Sequence, residues 1–317
     1  MKYDVMLQGF HWKSHEVRNL GRSWYSIIEE NARRIKNSGF SLVWFPPPSD
    51  SVNPQGYEPR QLNKLDSAYG SESELINAVN ALQPEVKTIA DIVINHRSGT
   101  SNNEDFTNPD WPRETIVFDD EDGGHDNSIN WDTGHRADFS RDLDHKNPTT
   151  QDGVSKWMNL LKSKVNFAGW RYDLVKGYAG WAIELYNKKT NPVFSVGEFF
   201  DNQVQPVIDW IDSTHRDPAF RSTAFDFPLR NTLHQAIAWK NFHWLKYADR
   251  APGLMGQWSD KAITFLENHD TEEARGGQFQ SFGCTTVWWI KSSMIGSKSI
   301  LASTYQSMLR TRLSTAT

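Results

Sequence analysis

Apolar and polar positions follow two periods along the chain, and the switches between them divide it into short strands and longer helices. Residues 4–10 (DVMLQGF), 41–45 (SLVWF) and 88–95 (TIADIVIN) are brief apolar runs with the length of strands. The last is almost continuously apolar, as a parallel strand covered on both faces should be. Residues 23–38 and 71–82 repeat apolar positions at helical spacing, with Ser23 placed to cap the first helix and Gly39 just past its end. Pro46, Pro47 and Pro48 close the second strand, because proline cannot donate to a ladder. Further on, a helix over 153–165 carries Val154, Trp157, Met158, Leu161 and Val165 on one face. A strand is then expected over 168–177, a helix over 180–189 and a strand over 193–200. A helix over 204–213 leads to a strand over 223–229, a helix from 229 to 247 and a strand over 262–268. Such alternation predicts βαβ units and a parallel sheet. Seven strands with helices between them suggest a (β/α)8 TIM barrel with one unit unaccounted for. The competing architecture is a doubly wound sheet, but no glycine-rich phosphate loop follows the first strand.

The rhythm breaks once. From Arg97 to Asp144 the sequence is rich in Asn, Asp, Gly and Pro, with only a weak strand pattern at 115–118. About 45 residues are too many for an ordinary barrel loop, so a small inserted domain or a functional loop is expected after the third strand. Trp111, Phe118, Trp131 and Phe139 punctuate it with aromatic rings, which argues against simple disorder.

Composition narrows the class. A chain of 317 residues with 38% hydrophobic and 23% charged residues can bury a large core. Its net charge of -5 argues against a nucleic-acid partner, which would want a basic face. No apolar run reaches the roughly 18 residues of a membrane span. The single cysteine, Cys284, excludes an intrachain disulfide, and the first residues do not read as a secretory signal. The 14 Trp residues suit core packing, but aromatic faces also stack on sugars.

Chemistry concentrates in residues 168–177 (AGWRYDLVKG). Period-two alternation puts Arg171 and Asp173 on one face of a strand, so a guanidinium lies beside a carboxylate at the strand's end. A positive neighbour favours the ionised carboxylate, as a covalent nucleophile requires, although a purely structural ion pair would look the same. His96, Asp173, Glu198, His269 and Asp270 all fall at the C-terminal ends of predicted strands, the face on which barrels build their sites. Three carboxylates there suggest glycoside hydrolysis. The apolar neighbours Val196, Phe199 and Phe200 should raise the pKa of Glu198 and suit it to be the general acid.

These segments resemble the alpha-amylase superfamily of glycoside hydrolases, and most of all its plant-type and related bacterial alpha-amylases. Four blocks stand in the family's order: DIVINH (91–96), GWRYDLVKG (169–177), GEFF (197–200) and FLENHD (265–270). QGFHW (8–12), WFPPPS (44–49), GYEP (56–59) and DLDHKNP (142–148) match as well, so the resemblance runs from residue 4 to about 275. It implies Asp173 as nucleophile, Glu198 as acid/base and Asp270 as the carboxylate that stabilises the transition state. Arg171 would orient the nucleophile, His96 and His269 would hold sugar hydroxyls, Tyr57 would stack on a sugar, and Lys176 would line the leaving-group side.

The resemblance also implies a calcium ion (Ca2+) clamping the inserted segment to the barrel. Its ligands would be Asn95, Asp132, Asp142 and backbone carbonyls near His135 and Gly177, an oxygen set that suits this ion. The alternative is that Asp132 and Asp142 are solvated loop acids. The domain expectation is then a barrel over 1–96 and 145–317 and an inserted calcium-binding domain over 97–144. The expected activity is retaining endo-cleavage of α-1,4-glucosidic bonds in starch, glycogen or maltooligosaccharides by a monomeric chain with no nucleic-acid or membrane partner. The alternatives are a glucan-binding relative without activity and an exo-acting or transglycosylating member.

Two departures stand out. Phe199 and Phe200 follow the acid where relatives carry an aliphatic residue and Trp. After Gly277 the chain turns rich in Ser and Thr, which leaves the eighth β/α unit doubtful and the C-terminal β-domain of the relatives absent.

Overall fold

The computed structural model describes residues 4–117, 139–245, 250–273 and 300–304. Eight parallel strands close into a barrel: β1 (Val5–Gln8), β2 (Leu42–Phe45), β3 (Lys87–Ile92), β4 (Gly169–Tyr172), β5 (Phe194–Gly197), β6 (Thr223–Phe225), β7 (Ala262–Phe265) and β8 (Ile300–Thr304). Strands consecutive in the chain are neighbours in the ring. The last strand answers the strand half of the doubt about the eighth unit, since Ile300–Thr304 pairs Ile263 with Ile300 on one side and Val5 with Leu301 on the other; a helix after it would lie outside the described residues. Its sequence, ILAST, carries no long apolar signature. Two backbone ladders place it instead, and composition does not register those. Residues 305–317 lie outside the described chain, and with them the expectation about a C-terminal β-domain.

Helices cover the ring. In α1 (Trp24–Asn37) the Ser23 hydroxyl accepts from the Ser26 N–H at 3.0 Å, and Gly39 takes the left-handed conformation just beyond, with φ at +82°. In α2 (Glu72–Leu82), Ser71 and Glu74 satisfy each other's backbone N–H groups in a capping box. The third helix starts earlier than expected. In α3 (Pro148–Leu160), Asn147 is the cap, and Pro148 occupies the first turn, where no N–H is needed. The remaining helices of this wall are α4 (Gly180–Thr190), α5 (Val204–Ser213) and α6 (Phe227–Ala238).

The strand expected over 223–229 is corrected to end at Phe225. Asp226 caps α6 by accepting from the Leu229 N–H at 3.0 Å, and it also accepts from the Leu254 and Met255 N–H groups. Pro228 fits the first helical turn and is excluded from a ladder, so FDFPL turns from strand to helix midway. The helix ends at Ala238, well short of 247.

Between β3 and α3 the chain leaves the barrel. His96–Arg97 pairs antiparallel with Arg141–Asp142, and Ile116 bridges Leu143. The weak strand pattern at 115–118 begins at the end of a 3-10 turn over Arg113–Thr115 and is met in part, by the Ile116–Leu143 bridge and the Val117 N–H donating to the Asp142 carbonyl at 2.9 Å. Residues 118–138, including Phe118, Trp131, Asp132 and His135, lie outside the described chain. Arg97 organises the described part. It is fully buried, donates to the carbonyls of Arg60 (3.0 Å), Thr107 (2.6 Å) and Pro109 (3.0 Å), and lies over both the Phe106 and the Trp111 rings.

Both faces of β4 are buried, although one of its four residues is the charged Arg171. Trp170 and Tyr172 point outward against α4, with Trp170 Nε1 donating to Thr190 and the Tyr172 hydroxyl donating to Asn187. Arg171 points inward. No described helix is long and apolar enough to cross a membrane.

Candidate active site

Strand register sets the inner wall at the C-terminal end of the barrel. Asp91 pairs with Arg171, and Arg171 with Val196, so Glu198, two residues past Val196, emerges on the same side. Arg171 is the hub. Its Nη1 donates to Asp173 at 2.7 Å and to Asp91 at 2.8 Å, while Nη2 lies 2.8 Å from Glu198 Oε2. Burial alone would discourage the guanidinium charge. Asp91, Glu198 and Asp173 outweigh it and hold Arg171 well above its ordinary pKa.

One arginine cannot neutralise every carboxylate around it, so protons must be shared. Burial is the largest influence on Glu198 and pushes its carboxyl well above the usual range; the nearby Asp270 and Asp173 add to this. Burial also raises the Asp270 carboxyl, against the Arg171 charge; the hydrogen bond it shares with Glu198 lifts Glu198 and acts in the lowering direction on Asp270, which favours protonated Glu198 as the donor. The Asp270 side chain retains 34% of its exposure, so this corner opens to solvent. The Leu174 N–H also donates to Glu198 Oε2, at 3.2 Å, from a residue with φ at +42°. A left-handed leucine costs about 1–3 kcal/mol, and here the unusual backbone aims an N–H at the acid.

The expected sugar-contacting residues split into two groups. Tyr57 and His269 belong to the buried network: the Tyr57 hydroxyl donates to Asp91 Oδ2 at 2.9 Å and lies 2.8 Å from His269 Nε2. Gln8 Nε2 lies 2.7 Å from His269 Nδ1. Trp12, Tyr57 and His269 have near-parallel rings, with each pair of centroids within 5.9 Å. His96 is also buried; its Nε2 donates to the Tyr57 carbonyl at 2.8 Å. Burial depresses the pKa of both imidazoles and keeps them neutral. Lys176 is apart, on the rim, 2.8 Å from Asp201 and over the Phe199 ring. Phe200 stands exposed, with its ring against Phe227.

Asp91 escapes sequence reasoning. It is fully buried and accepts from Trp44 Nε1 at 3.0 Å, from Tyr57 and from Arg171. Burial, the largest influence, pushes its carboxyl up to about 7. Its one signal is an acid in the middle of TIADIVIN, where a charge needs partners to survive.

The expected calcium ligands divide as well. Asn95, Asp142 and Gly177 meet where β3 leaves the barrel. Asn95 Nδ2 donates to Asp142 Oδ1 at 3.0 Å, and a Cβ at Gly177 would sit 1.7 Å from Asn95 Oδ1. That oxygen is buried with no hydrogen-bond partner, an orphaned hard donor beside a carboxylate, which fits an oxygen-seeking cation. Asp132 and His135 lie outside the described residues. Among the described residues no three His, Cys, Asp or Glu side chains converge on a metal. The expected set, built on an amide and carbonyls, needs no such trio.

No protein-family model matches the chain. A probable alpha-amylase 2 of Arabidopsis thaliana is 32% identical over 290 residues, which span 84% of this chain and 67% of that protein. The chain belongs to the alpha-amylase family of glycoside hydrolases. A chloroplastic alpha-amylase 3 of the same plant is 31% identical over 299 residues, 86% of this chain but 32% of the relative, so the chain spans from a third to two thirds of these amylases. The alpha-amylase I of Eisenia fetida, in the complex of a mutant form with maltohexaose, superposes with a TM-score of 0.67 at 16% identity, covering 94% of this chain and 66% of that one. That likeness shows the amylase barrel fold.

Proposed function

We propose that the chain is a retaining endo-hydrolase of α-1,4-glucans such as starch, glycogen or maltooligosaccharides. The observation that carries this reading is the fork of Arg171 between Asp173 and Glu198, with Asp270 beside the acid. A shared guanidinium suits the separation of about 5–5.5 Å that retaining enzymes use, rather than the wider gap that admits water first. Glu198, kept protonated by burial, gives its proton to the glycosidic oxygen as the bond to the leaving sugar breaks. Asp173, held by Arg171, attacks the anomeric carbon and forms a glycosyl ester. Glu198, now a carboxylate, takes a proton from water, which attacks the ester and releases sugar with its configuration retained. Asp270 adds negative charge where the oxocarbenium ion develops.

In this reading Tyr57, with its ring near Trp12, offers a stacking face, while His96 and His269 border the sugar. Lys176 and Phe200 line the leaving-group side. Residues 97–144 form an inserted domain, with residues 1–96 and 145–317 as the barrel. Asn95, Asp142 and the backbone near Gly177 would hold calcium, joined by Asp132 and His135. The ion would supply a clamp between the two parts and no reacting atom. The orphaned Asn95 Oδ1 supports this assignment.

Release of reducing ends from soluble starch tests the reading. A spread of oligosaccharides whose first-formed products keep the α-anomer is the expected outcome, and a single short product or inverted sugar overturns it. Asp173→Asn should lower turnover by about 10³-fold or more while binding survives. Chelation should lower the melting temperature, and Gly177→Ala, which drives a methyl group into Asn95, should abolish the calcium response.

A further inference from the structure

We propose that Gln8 is a positioning residue: its side-chain amide holds His269 in the tautomer protonated at Nε2, which in turn commits the Tyr57 hydroxyl to Asp91. For its effect on turnover the inference rests on the glucan-hydrolase reading above.

The direction of each hydrogen bond follows from Asp91. Its two oxygens receive Trp44 Nε1, Tyr57 and Arg171, all as donors. With its single proton given to Asp91, Tyr57 can only accept from His269 Nε2, 2.8 Å away. Nε2 therefore carries hydrogen, and the neutral ring leaves Nδ1 as an acceptor. The group 2.7 Å from Nδ1 is the amide nitrogen of Gln8, a donor. The relay from Gln8 through His269 and Tyr57 to Asp91 ends on the guanidinium that holds Asp173 and Glu198.

Gln8 is itself fixed. It is buried as the last residue of β1, paired in register with Trp44 and Thr304. Other charged and titratable groups face His269 too: Asp270 Oδ2 at 3.2 Å from Nε2, with Arg171 and His11 near enough to disfavour a charged ring. The aromatic rings of Phe10, Trp12 and Trp44 complete the wall. Asp270 alone would draw a second proton onto the imidazole. An amide donor at Nδ1 opposes that, because it needs the lone pair that the proton would take.

The substitution that separates tautomer control from packing is Gln8→Glu, nearly identical in shape but unable to donate when ionised. Its carboxylate would accept from Nδ1–H, raise the affinity of His269 for a proton and leave an imidazolium beside Asp270. The experiment combines two readouts. Long-range 1H–15N spectra of histidine-labelled protein, with His269 assigned by loss of its signals in His269→Asn, report the tautomer. Profiles of kcat and KM against pH on a maltooligosaccharide report the consequence for wild type, Gln8→Glu and Gln8→Leu.

Wild type should show a bare Nδ1 and a protonated Nε2 above about pH 7, where Asp91 is ionised and takes the Tyr57 proton. Gln8→Glu should lose about tenfold or more in kcat at the acid end and recover as pH rises and the imidazolium loses its proton, with KM moving far less. Gln8→Leu should lower kcat without a new ionisation. A protonated Nδ1 in wild type overturns the proposal, as does a Gln8→Glu profile parallel to wild type in a folded variant. Should Gln8→Glu fail to fold, the wild-type tautomer and the Gln8→Leu profile still decide. Wild type that hydrolyses no glucan yet shows the Nε2–H tautomer defeats the hydrolase reading alone; active wild type with Nδ1–H defeats this one alone.

Discussion

Arg171 and Arg97 are both fully buried, yet the protein treats their charges in opposite ways. Arg171 meets three carboxylates and is held well above its ordinary pKa. Arg97 meets carbonyl oxygens and two aromatic faces, and burial pulls it down to about 9. Neutral acceptors satisfy geometry without balancing charge, and one nitrogen of Arg97, Nη1, has no hydrogen-bond partner. The difference separates two uses of one side chain. Around Arg97 the guanidinium is a brace for loop backbone. Around Arg171 it is a charge that decides how protons are distributed among acids.

Replacing each arginine by methionine gives the largest expected contrast. Arg171→Met leaves Asp91, Asp173 and Glu198 uncompensated, which should cost about 3–5 kcal/mol in urea unfolding and abolish turnover. Arg97→Met strands three carbonyls and removes a charge that Asp110 supports without a direct ion pair. It should cost about 1–3 kcal/mol and leave turnover near wild type at temperatures where the variant is folded. Equal losses in the two variants would break the comparison.

Asp91→Asn sharpens the Arg171 side. The folded pKa of Asp91, about 7, lies above its unfolded value of about 3.9, so the folded state binds the extra proton between them. The stability this proton brings is fully present below about pH 4 and is lost as pH rises to about 7. Urea unfolding across that window should show a shallower decline for Asp91→Asn than for wild type. An unchanged slope would mean that Asp91 is ionised throughout. The smallest effect is expected on the Arg97 side, where Phe106→Leu removes one of two aromatic faces. A cost of about 0.5–2 kcal/mol is expected from the midpoint of unfolding, with no change in turnover.

Much of the barrel mouth was legible in the sequence because the chemistry and the strand period coincide. Arg171 and Asp173 share a face as their spacing required, and Glu198 and Asp270 stand past the strand ends to which they were assigned. Asp91 was not legible, since an acid inside an apolar run shows its purpose only when the partners on other strands are known. Gln8 escaped for the same reason: its partner is 261 positions away. Local chemistry misled at FDFPL, where Asp226 and Pro228 signal a helix start more strongly than the flanking aromatics signal a strand. The eighth strand has no local signal of its own. It exists through its partners.

Closing the ring with Ile300–Thr304 gives the protein a dependence that its catalytic chemistry does not reveal. Remove that strand, and both Val5–Gln8 and Ala262–Phe265 lose a partner, exposing two rows of unpaired backbone amides and carbonyls at once. Such open rims invite strands from other molecules and seed insoluble assemblies. One of the two rims carries Gln8. Cutting the chain ahead of residue 300 therefore threatens solubility together with the placement of Gln8 against His269, through a segment joined to the ring by its backbone ladders.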